Sequence, residues 1–287
     1  MSRLQTLLTA VVVTAAVIAV GWRSEDGPAV PPPDAGPSAT PSPSGSPSPS
    51  VTPVRADPPP APRPGGCYRL SYDEAVAPTV STPAVPCREE HTSATYAVGR
   101  LDTVVGGHLV AVDSERVRDQ VARTCPEGLA GHVGGTLEQR RLSVLRAVWF
   151  TPTVEESDAG ARWFRCDVIA LARQHTLAPL TGTAEGVLGT TAGRLRYGLC
   201  ATAEPGTPES ERVSCATPHS WRAVRTVPFP GDRYPGAATV RQAGEQPCRA
   251  AGRAAAGGRL DFRWGYEWPT ATQWREGRTW GTCWVPD

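Results

Sequence analysis

The chain has 287 residues, and its 29 basic and 28 acidic side chains leave a formal net charge of +1. A balance so close to zero creates no strong global field, so composition argues against nucleic acid as a partner. Once the first 64 residues are set aside, the remaining length suits two domains of about 100 residues each.

The amino-terminal segment predicts a membrane anchor. Nineteen uncharged residues, 4–22, follow a basic start at Arg3. As a helix rising about 1.5 Å per residue they would span about 28 Å, close to the hydrocarbon thickness of a bilayer. We therefore predict that residues 1–23 form a transmembrane signal anchor, which makes the cell membrane a partner. A cleaved signal peptide remains an alternative, because Ala19-Val20-Gly21 resembles a processing site.

Residues 24–64 form the next segment, which is rich in proline and serine. Such a composition buries too little apolar surface to fold, and it favours extended polyproline II conformation. At about 3.1 Å per residue the segment could reach roughly 130 Å. We predict a disordered linker that separates the folded part from the membrane.

Eight cysteines follow in two sets of four with matching surroundings. A histidine lies four residues after the second cysteine of each set, at His91 and His219, and a Pro-Thr pair lies fourteen residues before each fourth cysteine. The first set is Cys67, Cys87, Cys125 and Cys166, and the second is Cys200, Cys215, Cys248 and Cys283. Matching offsets of several residue types predict one module used twice, over residues 65–175 and 194–287.

The pattern within each module predicts an α+β fold. In module 1, strands are expected near Cys67 and over 94–98, 142–150 and 163–171. A helix is expected between them, because Val117, Val121 and Cys125 recur every four residues on one face after a capping Asp113 or Ser114. Module 2 repeats this plan, and Pro247 predicts a start or kink of its helix. The prediction is two similar small disulfide-stapled modules, each a short antiparallel sheet with one helix.

The even cysteine count predicts disulfides in an extracytoplasmic, oxidising space. Four cysteines allow three pairings per module and the sequence does not choose. Expected neighbours favour Cys67–Cys87 with Cys125–Cys166, and Cys200–Cys215 with Cys248–Cys283. A zinc site is the alternative for each Cys-x3-His pair, but no C-x2-C knuckle accompanies them. We predict no metal and no cofactor, and we assign His91 and His219 to anchoring turns.

Interaction signals outweigh catalytic ones in this sequence. No G-x-S-x-G elbow, H-E-x-x-H helix or phosphate loop occurs, so we predict no enzymatic activity. Six of the nine tryptophans lie in the second half. Trp221, Trp264 and Trp274 have no counterparts in module 1, and we predict that they form a surface for cell-wall glycan or peptide. The alternative is that they fill a small core.

Module 2 resembles the septum formation domain of actinobacterial cell-envelope proteins. The matching motifs are Tyr197-Gly198-Leu199-Cys200, the segment 213–219 ending in His219, Tyr234-Pro235-Gly236, Cys248, and Pro269-Thr270 through Trp274 and Gly277 to Cys283. Module 1 keeps Gly66-Cys67 and Val85-Pro86-Cys87. It has Glu90 before its histidine instead of proline, lacks the tryptophan after its Pro-Thr pair, and has no Tyr-Pro-Gly.

The resemblance implies a single-pass, extracytoplasmic, non-catalytic binding or scaffold protein of the cell envelope, linked to septum formation. Division proteins are then further expected partners. The alternative function is a secreted enzyme that acts on cell-wall peptide or glycan.

Overall fold

The computed structural model describes residues 59–287, which form helices and antiparallel strands. The helices are α1 Tyr72–Val76, α2 Glu115–Val133, α3 Leu137–Arg141, α4 Val154–Asp158, α5 Thr191–Arg196, α6 Ala237–Ala243, α7 Glu245–Ala255 and α8 Ala271–Arg275. The strands are β1 Cys67–Tyr68, β2 Ser93–Arg100, β3 Val104–Val105, β4 His108–Leu109, β5 Leu145–Phe150, β6 Trp163–Arg173, β7 Thr176–Ala178, β8 Leu199–Ala201, β9 Arg212–Ser214, β10 Trp221–Pro228, β11 Gly265–Glu267 and β12 Trp280–Pro286. The mixed α+β content agrees with the predicted fold class.

The predicted anchor, residues 1–23, and most of the predicted linker, residues 24–58, lie outside the described residues. The remaining linker residues before the first turn, 59–63, carry neither helix nor strand. Among the helices of residues 59–287, none combines the length and the apolar character that crossing a bilayer requires.

The first sheet has the strand order β1-β2-β6-β5, and β7 pairs with the last residues of β6, which runs two residues past the predicted strand end. Helix α2 begins after Ser114, whose side chain accepts a hydrogen bond from the Val117 amide. Val117, Val121 and Cys125 are fully buried, as their spacing predicts. They pack against Cys166 of β6, so the helix covers one face of the sheet.

The second sheet has the order β11-β12-β10-β8-β9 and repeats the pairing scheme of the first. The opening strands, β1 and β8, pair with β2 and β10, and these pair in turn with β6 and β12 across a bulge, at 95–97 in the first sheet and 223–225 in the second. The covering helix is interrupted at Gly244, between α6 and α7. Pro247 lies in the first turn of α7, where no backbone N–H is needed, so the break precedes it by three residues.

The two halves are joined by backbone pairing and by a shared core. Ser143 bridges Gly198, and the Val144 amide donates to Tyr197 O at 2.9 Å. One cluster of buried side chains includes Leu145 of the first sheet and Trp284 of the second. All the described residues fall within one compact unit. The spacing of the cysteines predicts two modules and does not indicate that they share a core.

Candidate binding surface and the histidine turns

The eight cysteines form four disulfides, each between cysteines that are neighbours in sequence. The pairs are Cys67–Cys87, Cys125–Cys166, Cys200–Cys215 and Cys248–Cys283. This is the pairing that the expected strand and helix positions favoured. In each half one disulfide joins the opening strand to the turn that precedes the repeated histidine. The other joins the helix that covers the sheet to the last strand. Four disulfides indicate an oxidising, extracytoplasmic compartment.

The two repeated histidines hold equivalent turns. Nδ1 of His91 lies 2.7 Å from Glu89 O, and Nδ1 of His219 lies 2.6 Å from Thr217 O, so each ring bonds the carbonyl two residues before it. The second nitrogen reaches a distant segment: His91 Nε2 lies 2.7 Å from Gly182 O, and His219 Nε2 lies 2.6 Å from Asp287 Oδ2. These contacts are those of the predicted turn anchors.

The partners of the histidine nitrogens are all acceptors. A carbonyl or carboxylate oxygen cannot donate, so the imidazole is the only possible donor in each of these contacts. His91 is fully buried, whereas the side chain of His219 is 15% exposed. Neither ring presents a free nitrogen to a substrate in this arrangement.

The predicted zinc alternative has a geometric counterpart in the second half. The ligand atoms of Cys200, Cys215 and His219 lie within 4.8 Å of one another. Both sulfur atoms are joined in a disulfide, so neither is the thiolate that zinc binds. The imidazole nitrogens also already contact Thr217 and Asp287. The residues as they stand do not fit a metal ion.

Two of the three predicted surface tryptophans are buried, and that prediction was wrong for them. Trp221 is 3% exposed because it opens β10, which is paired with β8 on one side and β12 on the other. Trp274 is 6% exposed; its Nε1 donates to Asp232 O at 3.1 Å, and the rings of Phe229 and Tyr234 pack against it.

Trp264 is half-buried and contributes to a surface groove of about 580 Å³. Tyr266 and Trp268 line the same groove, because residues two apart on a strand project to one face. Trp268 is the most exposed tryptophan of the described residues, at 37%. Sequence reasoning missed Tyr266 and Trp268, although the alternation of three aromatic residues over 264–268 was a readable signal.

The opposite wall of the groove is the helical face formed by Ala238, Arg241, Gln242 and Glu245. Tyr266 closes the floor: its hydroxyl donates to Val240 O at 2.8 Å, and burial raises the pKa of Tyr266 to about 12, which keeps that donor protonated. The groove therefore has aromatic rings on one side and exposed polar groups on the other.

Comparison with known proteins assigns the chain to a family. A family model described as septum formation matches residues 64–283, which is most of the chain. The chain belongs to the septum formation family. The match runs as one stretch through both cysteine sets, so the septum formation region covers all four disulfides. Nothing among curated proteins or solved structures matches the chain.

The repeated Pro-Thr pairs of this septum formation protein serve as helix caps. The Thr153 side chain accepts from the Glu156 amide at the start of α4, and Thr270 accepts from the Gln273 amide at the start of α8. Both helices complete a capping box, in which the third helical residue bonds back to the cap. The Pro-Thr motif is thus explained by helix capping.

The contacts of Asp287 predict an acid-dependent loss of stability. Hydrogen bonds from Arg222, and secondarily from His219, lower the pKa of Asp287 from 3.8 to about 2, against an opposing effect of burial. A depressed folded-state pKa adds stability above the unfolded value, and that stability is lost as the pH falls through the folded value. The wild-type chain should be more stable than Asp287→Asn near neutral pH. The gap should close between pH 3.8 and about 2 in urea unfolding curves. A gap that stays constant across that range would contradict the assignment.

Proposed function

We propose that the chain is a non-catalytic binding or scaffold protein of the cell envelope that acts outside the cytoplasmic membrane during septum formation. Its membership of the septum formation family supports a role in septum formation. Its four disulfides support a location outside the cytoplasm, where the environment is oxidising. The predicted anchor over residues 1–23 belongs to this proposal, because it would hold the folded part close to the membrane.

One observation carries the non-catalytic part of the proposal. The two histidines that repeat beside half-cystines are the residues on which a general acid–base mechanism would most readily rest. Both nitrogens of His91 and both of His219 are engaged with protein oxygens. Their shared geometry is explained by holding a turn, which favours a binding role over the alternative of a secreted cell-wall enzyme.

We also propose that the two halves are tandem copies of one module, the first divergent. The support is the equal order of pairing in both sheets, the equal placement of the bulges and the equal disulfide scheme. The histidine turns add a fourth correspondence, since each Nδ1 bonds the carbonyl two residues earlier.

The proposed function is tested by localisation of the full chain in its own dividing cells. A fluorescent tag that folds outside the membrane would be inserted within residues 24–58, away from the folded part. We expect the signal to concentrate at forming septa. Uniform labelling of the envelope in dividing cells would contradict a septal role.

The His219→Ala variant separates binding from catalysis in the same cells. Removing the ring takes away the contacts with Thr217 O and with Asp287, which keeps only its hydrogen bonds from Arg222, so we expect a loss of about 1–3 kcal/mol in unfolding free energy. Septal localisation of the folded variant should persist. His91→Ala is the matched control and should cost at least as much stability, because His91 is fully buried. A His219→Ala chain as stable as the wild type that loses a cell-wall activity would favour the enzyme instead.

A further inference from the structure

The groove between β11 and α6 has two chemically different walls. Trp264, Tyr266 and Trp268 present rings along about 13 Å of extended chain, by the usual strand rise. The Tyr266 and Trp268 ring centroids are 5.9 Å apart and tilted by 43°. Across from them, Arg241, Gln242 and Glu245 are all exposed. The groove therefore offers flat apolar surface and mixed hydrogen-bonding groups side by side.

Glycine residues let the aromatic wall sit deep against the fold. A Cβ at Gly244 would lie 2.1 Å from the Tyr266 ring, and one at Gly281 would lie 2.3 Å from the Tyr266 hydroxyl. Either contact would displace the ring. Tyr266 can thus form the floor of the groove only because Gly244, directly after α6, and Gly281 have no side chains. The position of the aromatic wall therefore depends on these two glycine residues of the second half.

The first half lacks most of this wall at the corresponding positions. Trp149 of β5 lies opposite Cys166, as Tyr266 lies opposite Cys283. In that register Ala147 corresponds to Trp264, and Thr151 corresponds to Trp268. The central aromatic position is therefore shared by both halves, whereas the two flanking aromatic residues occur only in the second half. A requirement of the fold alone would be shared by both halves, so the flanking pair has a separate cause.

We propose that this groove binds a carbohydrate chain, an inference that rests on the proposed envelope-binding function and names its ligand class. The faces of sugar rings carry C–H groups that pack on aromatic faces, and their edges carry hydroxyls that both donate and accept. Arg241 supplies donors, Glu245 supplies acceptors, and the Gln242 amide supplies both. These donors and acceptors complement sugar hydroxyl groups, which both donate and accept hydrogen bonds.

The charges of the groove favour a sugar chain over a strongly charged ligand. Glu245 pairs with Arg249 at 3.3 Å, and the Arg249 guanidinium lies 5.9 Å from the centre of the Trp264 ring. These contacts neutralise that end of the groove. Peptide-binding grooves commonly carry separate pockets for individual side chains of the ligand. The open row of rings suits repeated, similar units instead.

The test is a titration of the full chain, in detergent micelles, followed by tryptophan fluorescence. The probes are a β-1,4-linked N-acetylglucosamine hexamer, polysaccharide purified from the host cell wall, and a peptidoglycan stem peptide. We expect at least one carbohydrate to bind and Trp268→Ala to weaken it at least about tenfold. Trp268→Phe keeps a ring and should retain most of the affinity. Leu260→Ala, at a residue that is 97% exposed and outside the groove, should bind like wild type.

Failure to bind either carbohydrate would overturn the inference, and so would equal binding by wild type and Trp268→Ala. Binding of the stem peptide in place of the carbohydrates, with the same dependence on Trp268, would assign the groove to peptide. Each of these results would leave septal localisation of the tagged chain unaffected. Carbohydrate binding without septal localisation would instead contradict the proposed role in septum formation and leave the carbohydrate site standing.

Discussion

Replacement of Asp167 with alanine is expected to lower the free energy of unfolding by about 3–5 kcal/mol, because it leaves a buried charge without its partner. Asp167 Oδ2 lies 3.0 Å from Arg165 Nη2, and the side chains are 0% and 5% exposed. The carboxylate also accepts from the Ser93 and Thr95 hydroxyls, both at 2.7 Å. Denaturant unfolding of the full chain, followed by tryptophan fluorescence, measures the loss.

The double variant Arg165→Met/Asp167→Ala is the matched control. The Arg165 guanidinium lies between the Tyr68 ring, at 3.9 Å, and the Phe150 ring, at 4.5 Å. Methionine would fill that space without a charge and with favourable sulfur–aromatic contacts. The double variant should therefore lose less stability than Asp167→Ala alone. An Asp167→Ala chain within about 1 kcal/mol of wild type would show that this pair does not support the fold.

Removal of the helix-to-strand disulfide of the first half should have a similarly large effect. The double variant Cys125→Ala/Cys166→Ala opens a ring with a sequence separation of 41, and the loop-closure estimate for that length is about 4 kcal/mol. Both cysteines are also buried beside Val117 and Val121, so the loss of two sulfur atoms removes core contacts. Urea unfolding under non-reducing conditions measures the difference from wild type.

The shorter ring of the second half gives the comparison. Cys200→Ala/Cys215→Ala opens a separation of only 15, for which the same estimate is about 3 kcal/mol. We expect this variant to be the less destabilised of the two. Peptide mapping of the oxidised chain should recover the remaining three disulfides in each variant. Equal stability of wild type and Cys125→Ala/Cys166→Ala would show that the covalent link adds nothing to the folded state.

Local patterns predicted the parts of the fold that depend on neighbours in sequence. The four-residue spacing of Val117, Val121 and Cys125 identified the buried face of α2, because a helix of that period has one inward side. The cysteine offsets alone left three pairings open in each module, and the expected positions of the strands and helices favoured the pairing that the structure has. The ring of each histidine four residues after a half-cystine bonds a carbonyl only two residues away, a contact that depends on local sequence alone.

Features set by the position of a strand within a sheet could not be predicted in the same way. Trp221 and Trp274 have no counterparts in the first half, and that difference predicts exposure. Trp221 is buried because β10 is a central strand, a fact fixed by pairing with β8 and β12. The period-two spacing of Trp264, Tyr266 and Trp268 indicated that the three side chains share a face. The placement of α6 opposite them could not be predicted, because it depends on tertiary packing.

The order of the disulfides has a consequence for how the chain is oxidised. Each cysteine pairs with the next one along the sequence, so the four covalent rings follow one another without nesting or overlap. When a chain crosses a membrane from its amino terminus, its cysteines emerge in sequence order. The correct partner of the first, third, fifth and seventh cysteine is then the next cysteine to emerge. Disulfide exchange is needed when a wrong pair forms before the right partner is present. If this chain is exported amino terminus first, pairing each cysteine as its partner emerges would give the native set without disulfide exchange.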